Sequence, residues 1–159
     1  MDDRQKLAEW VAQRVMATDL AAQQLDIQLI DVSPGRARLA MTVRPAMTQG
    51  HGTCHGGASF TLADTAFAVA CNSHGEKAVA QHCTISYLAP AKIGDQLTAE
   101  AIERSRRGRS GMYDVTIVRQ DGEVIAEFRG HSRTVKGHWQ DDLQDGAITV
   151  TLTAPSVSA

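Results

Sequence analysis

The chain contains 159 residues with a mass of 17.1 kDa, the size of one domain that can bury a core without disulfides or metals. It carries 16 basic and 18 acidic side chains, and the resulting net charge of −2 excludes a general attraction to nucleic acid or anionic lipid. Hydrophobic residues make up 43% and charged residues 21%, which excludes an intrinsically disordered chain. We therefore expect one globular domain with no nucleic-acid or membrane partner.

The cysteines and the start of the chain indicate its compartment. Cys54, Cys71 and Cys83 are odd in number and form no CxxC pair, so neither a disulfide framework nor a zinc ribbon is expected. The charged first residues lead into no signal peptide, and no stretch approaches the ~20 apolar residues of a membrane span. We expect a soluble protein of the reducing cytoplasm, with no cofactor and no bound metal.

Hydrophobic periodicity and turn signals divide the chain into helices and strands. In chain order they predict helices over 4–17 and 21–25, strands over 27–32 and 36–43, a long helix from 58 to Gly75, and strands over 77–88, 95–106, 110–120 and 123–135. Residues 45–57 hold four glycines and a proline and are predicted to form a loop. The order predicts an α+β fold in which an antiparallel sheet wraps around the long helix. The open edge of such a sheet is usually covered by oligomerisation.

Gly56 and Gly57 stand where the long helix is expected to begin. The N–H groups of a first helical turn have no partner inside the helix and lie at the positive end of its dipole. Because glycine has no side chain, a ligand can approach this backbone closely, and a carbonyl oxygen that gains negative charge would be stabilised there. The alternative is a turn in which the two glycines serve only tight packing.

Asp64 is a carboxylate midway along an otherwise apolar, Ala-rich helix. Burial without a partner would cost several kcal/mol, so Asp64 is either a hydrogen-bonded structural residue or a general base or nucleophile. At about 1.5 Å per residue, it lies about 12 Å from Gly56 along the helix. If both residues act on one carbonyl, they must come from different chains, which predicts an active site shared by two copies.

Two other clusters each have a structural and a functional interpretation. His51 and His55 flank Cys54 at a spacing of four, but the surrounding glycines argue against a helix that would bring them together as zinc ligands. The turn at 104–109 holds four arginines in six positions. These arginines form either a solvated basic hairpin or a phosphate clamp for a nucleotide-bearing ligand.

A longer pattern connects these features. Residues 50–57 read GHGTCHGG, residues 62–68 read LADTAFA, residues 70–73 read ACNS, and CTISYL follows at 83–88. At this spacing the stretches resemble the PaaI-type phenylacetic acid degradation thioesterases of the hotdog-fold acyl-CoA thioesterase superfamily, over about residues 15–136. The resemblance implies a hotdog domain over 1–136 with an N-terminal helix, a C-terminal extension over 137–159, and dimers that associate as tetramers.

The resemblance also implies hydrolysis of acyl-CoA thioesters, especially phenylacetyl-CoA and its ring-hydroxylated relatives. Asp64 matches the carboxylate that activates water or attacks directly, the Gly56 N–H matches the group that polarises the thioester carbonyl, and His55 matches a histidine that helps position the substrate. The arginines would lie along the phosphates of CoA, and Phe67 would supply an apolar wall for the acyl group. The expected substrate-binding residues are Gln49, Gly57, Thr65, Phe67, Thr18, Arg106, Arg107, Arg109 and Ser110.

Two positions depart from the family pattern. Gln49 stands where the family often has Asn, and Thr18 corresponds to a second Asn near the end of the first helix. Either change would alter the preference for the acyl group. Two further functions on the same fold stay open: an enoyl-CoA hydratase, for which His55 is the candidate histidine, and a non-catalytic acyl-CoA binding module, which Asp64 disfavours.

Overall fold

The computed structural model describes residues 2–143 of the chain. The helices of this part are α1 (Asp3–Thr18), α2 (Leu20–Gln24) and α3 (Gly56–Asn72), and its strands are β1 (Gln28–Ser33), β2 (Arg36–Thr42), β3 (Glu76–Tyr87), β4 (Gln96–Arg107), β5 (Ser110–Arg119) and β6 (Val124–His138). Short 3₁₀ turns cover Pro45–Met47 and Trp139–Leu143. None of the helices within residues 2–143 is long and apolar enough to span a membrane.

The strands form one antiparallel sheet in the order β1-β2-β4-β5-β6-β3. Helix α3 packs against every one of these strands, so the sheet curves around it, and α1 packs against α3 and β1. Along β4 and β5, buried positions that face α3 alternate with more exposed ones, as expected for an antiparallel sheet with one covered face. The predicted α+β hotdog architecture is confirmed.

Helix α3 has well-defined ends. His55 precedes it in an extended conformation (φ −61°, ψ 134°) and caps its first turn. The helix ends at Asn72, three residues before the predicted end at Gly75. The backbone of Gly75 adopts φ +93°. Glycine tolerates this left-handed conformation, which lets the chain turn directly into β3.

The last strand is longer than predicted. β6 continues to His138 instead of ending at Val135, so it crosses the expected domain boundary at residue 136. The chain then folds back, and the Trp139 indole donates a hydrogen bond to Asn72 Oδ1 (2.8 Å). Of the expected extension, residues 144–159 lie outside the described part of the chain.

Three aromatic side chains form the centre of the core beneath α3. The Phe67 ring packs against Tyr113 and Phe128, with ring centroids 5.6 and 5.9 Å apart. It also lies directly over Gly130 of β6, where an added Cβ would meet three ring atoms at 2.8–2.9 Å. Because Phe67 is only 1% exposed, its ring has little room to move away.

We therefore expect Gly130→Ala to destabilise the fold by about 1–3 kcal/mol, the usual cost of overpacking a core. Urea denaturation measures the change in the free energy of unfolding. Gly50→Ala is the matched control, because a Cβ at exposed Gly50 meets nothing within 4 Å. Equal stability of the two variants would contradict the expectation.

Candidate active site

Within residues 2–143, one backbone N–H of the first turn of α3 has no acceptor. The Gly57 N–H donates to Nδ1 of His55 (2.8 Å), and the His55 N–H donates to the Met47 carbonyl (2.7 Å). The Gly56 N–H finds no acceptor within residues 2–143. Of the two glycines singled out by sequence, Gly57 is therefore engaged by its own chain, and Gly56 keeps a donor at the positive end of the helix dipole.

A cavity of about 370 Å³ opens beside Gly56. It lies between the loop before α3 and the segment that follows β3. The polar wall of this cavity consists of Gln49, Thr53, Cys54 and Ser59, and its apolar wall includes Leu88 and Ile125. A ligand carbonyl that enters here would meet the free N–H with apolar carbon on its other side.

Gln49 shapes the polar wall. Its side-chain amide donates to Thr53 Oγ1 (2.7 Å) and accepts from the His51 N–H, while its backbone N–H donates to the Thr53 carbonyl (3.1 Å). The predicted substrate contact thus lies on the cavity with its side chain already bonded inside the loop. His51 itself is exposed, and within residues 2–143 no group of three or more His, Cys, Asp or Glu side chains is arranged to hold a metal ion.

Asp64 lies half-buried on α3, and its carboxyl makes no hydrogen bond within the described part of the chain. Burial raises the pKa of its carboxyl, and the charge of Asp19 raises that pKa further. Asp19 lies directly after α1, and Thr18, the last residue of that helix, is exposed. The Thr18 hydroxyl donates to the Arg14 carbonyl (3.0 Å). Asp64 and Gly56 of one chain remain about 12 Å apart along the helix.

Residues 2–143 leave one strip of α3 uncovered. Gly57, Thr61, Asp64 and Ala68 are all partly or fully exposed, whereas most of their neighbours on the helix are buried. Their spacing of four, three and four places them on one side of the helix. Asp64 therefore points along a surface made of small and polar residues.

The other predicted acyl-site residues are more deeply placed. Thr65 is 4% exposed. Phe67 lies in the core against Tyr113 and Phe128 instead of lining the cavity.

The arginine turn lies at the opposite end of α3 from Gly56. Arg106 forms an ion pair with Glu76, which begins β3 just after the helix ends. Arg109 donates to the Thr134 carbonyl (3.1 Å), Arg107 is exposed, and Ser110 Oγ accepts from Arg133 (3.5 Å). A helix of 17 residues is about 25 Å long, so this turn does not approach the cavity of its own chain.

Sequence reasoning missed Tyr87. This last residue of β3 lines the cavity, and its hydroxyl donates to the Gly56 carbonyl (2.8 Å). The sequence carried one signal, a large aromatic residue at the end of a strand and just before the proline-containing turn at 89–91. Tyr87 is 53% exposed.

Comparison with known proteins relates this chain to thioesterases. The family model described as "Thioesterase superfamily" matches residues 51–126. Acyl-coenzyme A thioesterase PaaI of Escherichia coli is 46% identical over 126 residues, which cover 79% of this chain and 90% of that protein. Human acyl-coenzyme A thioesterase 13 is 31% identical over 107 residues, which cover 65% of this chain and 76% of that protein.

Solved structures agree as well. The structure of the E. coli PaaI protein from the phenylacetic acid degradation operon has a TM-score of 0.83 at 44% identity and covers 84% of this chain and 97% of that chain. A mutant of phenylacetic acid degradation protein PaaI from Thermus thermophilus has a TM-score of 0.71 at 35% identity and covers 74% of this chain and 100% of that chain.

Asp64→Asn is expected to stabilise the folded chain at neutral pH. Because burial raises the pKa of Asp64 above its ordinary 3.8, the folded chain holds this proton more tightly than the unfolded chain. The free energy of unfolding therefore falls as the pH rises through the pKa of Asp64 in the unfolded chain and then in the folded chain. The D64N variant has no carboxyl to ionise, so it does not lose this stability. Melting temperatures measured across the pH range should show the gain at neutral pH and its disappearance below 3.8.

Asp121→Asn is the control with the opposite sign. Arg119 lowers the pKa of Asp121 to about 2, so its ionised form favours the folded chain and the substitution lowers stability at neutral pH. A D64N variant that melts below the wild type at neutral pH would mean that Asp64 has a stabilising partner.

Proposed function

The chain belongs to the thioesterase superfamily and hydrolyses acyl-CoA thioesters, and we propose that its substrates are phenylacetyl-CoA and ring-hydroxylated relatives. The observation that carries the site assignment is the free Gly56 N–H at the start of α3, which borders a cavity. In this proposal the reaction takes place in the cytoplasm, the location that the sequence predicts.

The Gly56 N–H acts on the thioester carbonyl. When water or a carboxylate attacks, the carbonyl oxygen gains negative charge, and a fixed N–H at a helix N-terminus stabilises that charge. The His55 imidazole accepts the neighbouring Gly57 N–H and so holds the first turn in place. In this proposal His55 and Gly57 position the donor, and Gly56 supplies it.

Asp64 acts as the base or the nucleophile. Its carboxyl has no hydrogen-bond partner within the described residues, and burial raises its pKa, which makes the carboxylate more basic than an exposed aspartate. It either removes a proton from the water that attacks the carbonyl and expels the CoA thiolate, or it attacks the carbonyl itself, expels the CoA thiolate and forms an anhydride that water then opens. Thr65, the next residue, is the proposed secondary polar contact.

The site requires two chains. Asp64 and Gly56 lie four residues on either side of Phe60, so two antiparallel α3 helices that cross near Phe60 bring each Gly56 beside the partner's Asp64. The uncovered strip of α3 and the free edge of β3, with Val79 50% exposed, are surfaces that a second copy would bury. We propose a homodimer, associating further into a tetramer, as the active assembly.

The antiparallel arrangement also brings the arginine turn of one chain close to the cavity of the other. It brings the C-terminal end of the partner's α3 towards the loop before Gly56, and the turn with Arg106, Arg107, Arg109 and Ser110 lies at that end. We propose that these side chains contact the CoA phosphates at a site completed by the other chain. Gln49 and Thr18 remain proposed determinants of the acyl-group preference.

A panel of acyl-CoA substrates tests the activity. We expect the highest kcat/KM for phenylacetyl-CoA and its hydroxylated relatives, measured as release of free thiol. Loss of the Asp64 base in D64N should lower kcat by roughly 10²–10⁴-fold while CoA binding is retained. After a single turnover in ¹⁸O-labelled water, label in Asp64 would show an anhydride that water opens at the Asp64 carbonyl, whereas hydrolysis by a base, or opening at the acyl carbonyl, labels only the released acid. Thiol release by D64N at the wild-type rate would contradict the role of Asp64.

Mixed assemblies test the shared site. Proline suits a first helical position but lacks an N–H, so Gly56→Pro removes the donor, and the melting temperature of G56P shows whether the fold survives the substitution. Random assortment of G56P and D64N chains makes about half of the dimers hybrids, each with one intact site of two, and should restore about a quarter of the wild-type turnover. No recovery after verified subunit exchange would exclude a site built from both chains.

A further inference from the structure

We propose that Tyr87 is a positioning residue for thioester cleavage, whose hydroxyl and ring hold the first turn of α3 so that the Gly56 N–H faces the cavity. This role deepens the proposed function and rests on it. In this role the edge strand β3 supports the start of α3 through its last residue.

The hydroxyl of Tyr87 reaches across from the sheet to the helix. Tyr87 is the last residue of β3, and its hydroxyl donates to the carbonyl oxygen of Gly56 (2.8 Å). In a helix this carbonyl already accepts from an N–H one turn later, so the tyrosine adds a second donor from outside the helix. The bond ties the helix start to an element 31 residues away in sequence.

The Gly56–Gly57 peptide is consequently held at both of its polar atoms. Its carbonyl oxygen accepts from the Tyr87 hydroxyl (2.8 Å), and its N–H donates to Nδ1 of His55 (2.8 Å). A glycine pair at a helix end is otherwise the part of a helix with the most conformational freedom. Fixing this peptide fixes the preceding one, which carries the Gly56 N–H, without using that donor.

The ring of Tyr87 controls the approach to Gly56. A Cβ added to Gly56 would lie 2.9 Å from both Cζ and the hydroxyl oxygen of Tyr87, so the end of the phenol ring rests on the glycine. The ring therefore covers one side of Gly56 and leaves the side of Gln49 and Cys54 for the thioester carbonyl. Residue 56 must be glycine for the hydroxyl to reach its bond.

Substitution of the two tyrosines in the chain gives a matched pair of variants. Tyr87→Phe removes the hydroxyl at Gly56, and Tyr113→Phe removes a hydroxyl that donates to Glu103 (2.7 Å), which also contacts His74 beyond the C-terminal end of α3. We expect Y87F to lower kcat for acyl-CoA about tenfold with KM and melting temperature nearly unchanged. Y113F should lower the melting temperature and leave kcat unchanged.

A double substitution tests whether Tyr87 acts through the Gly56 N–H or through Asp64. If Tyr87 acts through the Gly56 N–H, Y87F should lower the residual single-turnover rate of D64N about tenfold as well, because the catalysis that remains without the carboxylate depends on that donor. A residual D64N rate that Y87F leaves unchanged would overturn the proposal. So would a wild-type kcat in Y87F, or a fall in kcat that only parallels a fall in melting temperature.

These outcomes are distinct from failure of the proposed function itself. If the wild type releases thiol from acyl-CoA and Y87F does so at the same rate, the function stands and the role of Tyr87 is wrong. If the wild type releases thiol from none of the thioesters in the panel, the proposed function and the role of Tyr87 are both wrong.

Discussion

The structure depends on the packing of one helix of small residues against the inner face of a single sheet. Helix α3 contacts all six strands of the described chain, and its alanines allow the sheet to approach closely. The helix must therefore be apolar over most of its circumference, and any polar residue on it needs a reason. Asp64 is the charged residue of α3, and it lies on the strip that the sheet does not cover.

The two ends of α3 differ in how completely their polar groups are used. At the C-terminal end, the Asn72 side chain forms hydrogen bonds with Ala68, with Trp139 and twice with Ala78. Ser73 adds another, because its hydroxyl accepts from the Gly35 N–H (2.8 Å). Side chains therefore join this end of the helix to the β1–β2 turn, to β3 and to the segment that follows β6.

At the N-terminal end, residues 2–143 supply an acceptor for every backbone N–H of the first turn except one. The His55 imidazole accepts a hydrogen bond from the Gly57 N–H, and the Tyr87 hydroxyl donates to the Gly56 carbonyl. Within the described residues the Gly56 N–H has no acceptor and lies beside the cavity. Gly56 is partly exposed beside the cavity, so its N–H is open to solvent or to a ligand. The proposed oxyanion donor uses this opening, and burial raises the pKa of Asp64, the proposed base.

The sequence by itself determined the order of helices and strands, the small-residue helix, and the spacing that separates Gly56 from Asp64. These properties follow from local periodicity and from the fixed rise of a helix, so neighbouring residues are sufficient to specify them. Only the tertiary structure decided that the Gly57 N–H is hydrogen-bonded to His55 and that Phe67 lies in the core. It also decided that the Tyr87 hydroxyl donates to the Gly56 carbonyl.

The same distinction holds at the ends of the sheet. Local signals ended β6 near residue 135, but the strand continues because its backbone pairs with β3 and Trp139 then bonds to Asn72, 67 residues earlier in the chain. The arginine turn was recognisable as basic, yet its distance from Gly56 depends on which end of α3 the β4–β5 hairpin adjoins. Contacts between residues far apart in sequence are set by how the sheet folds around the helix, and no local pattern records them.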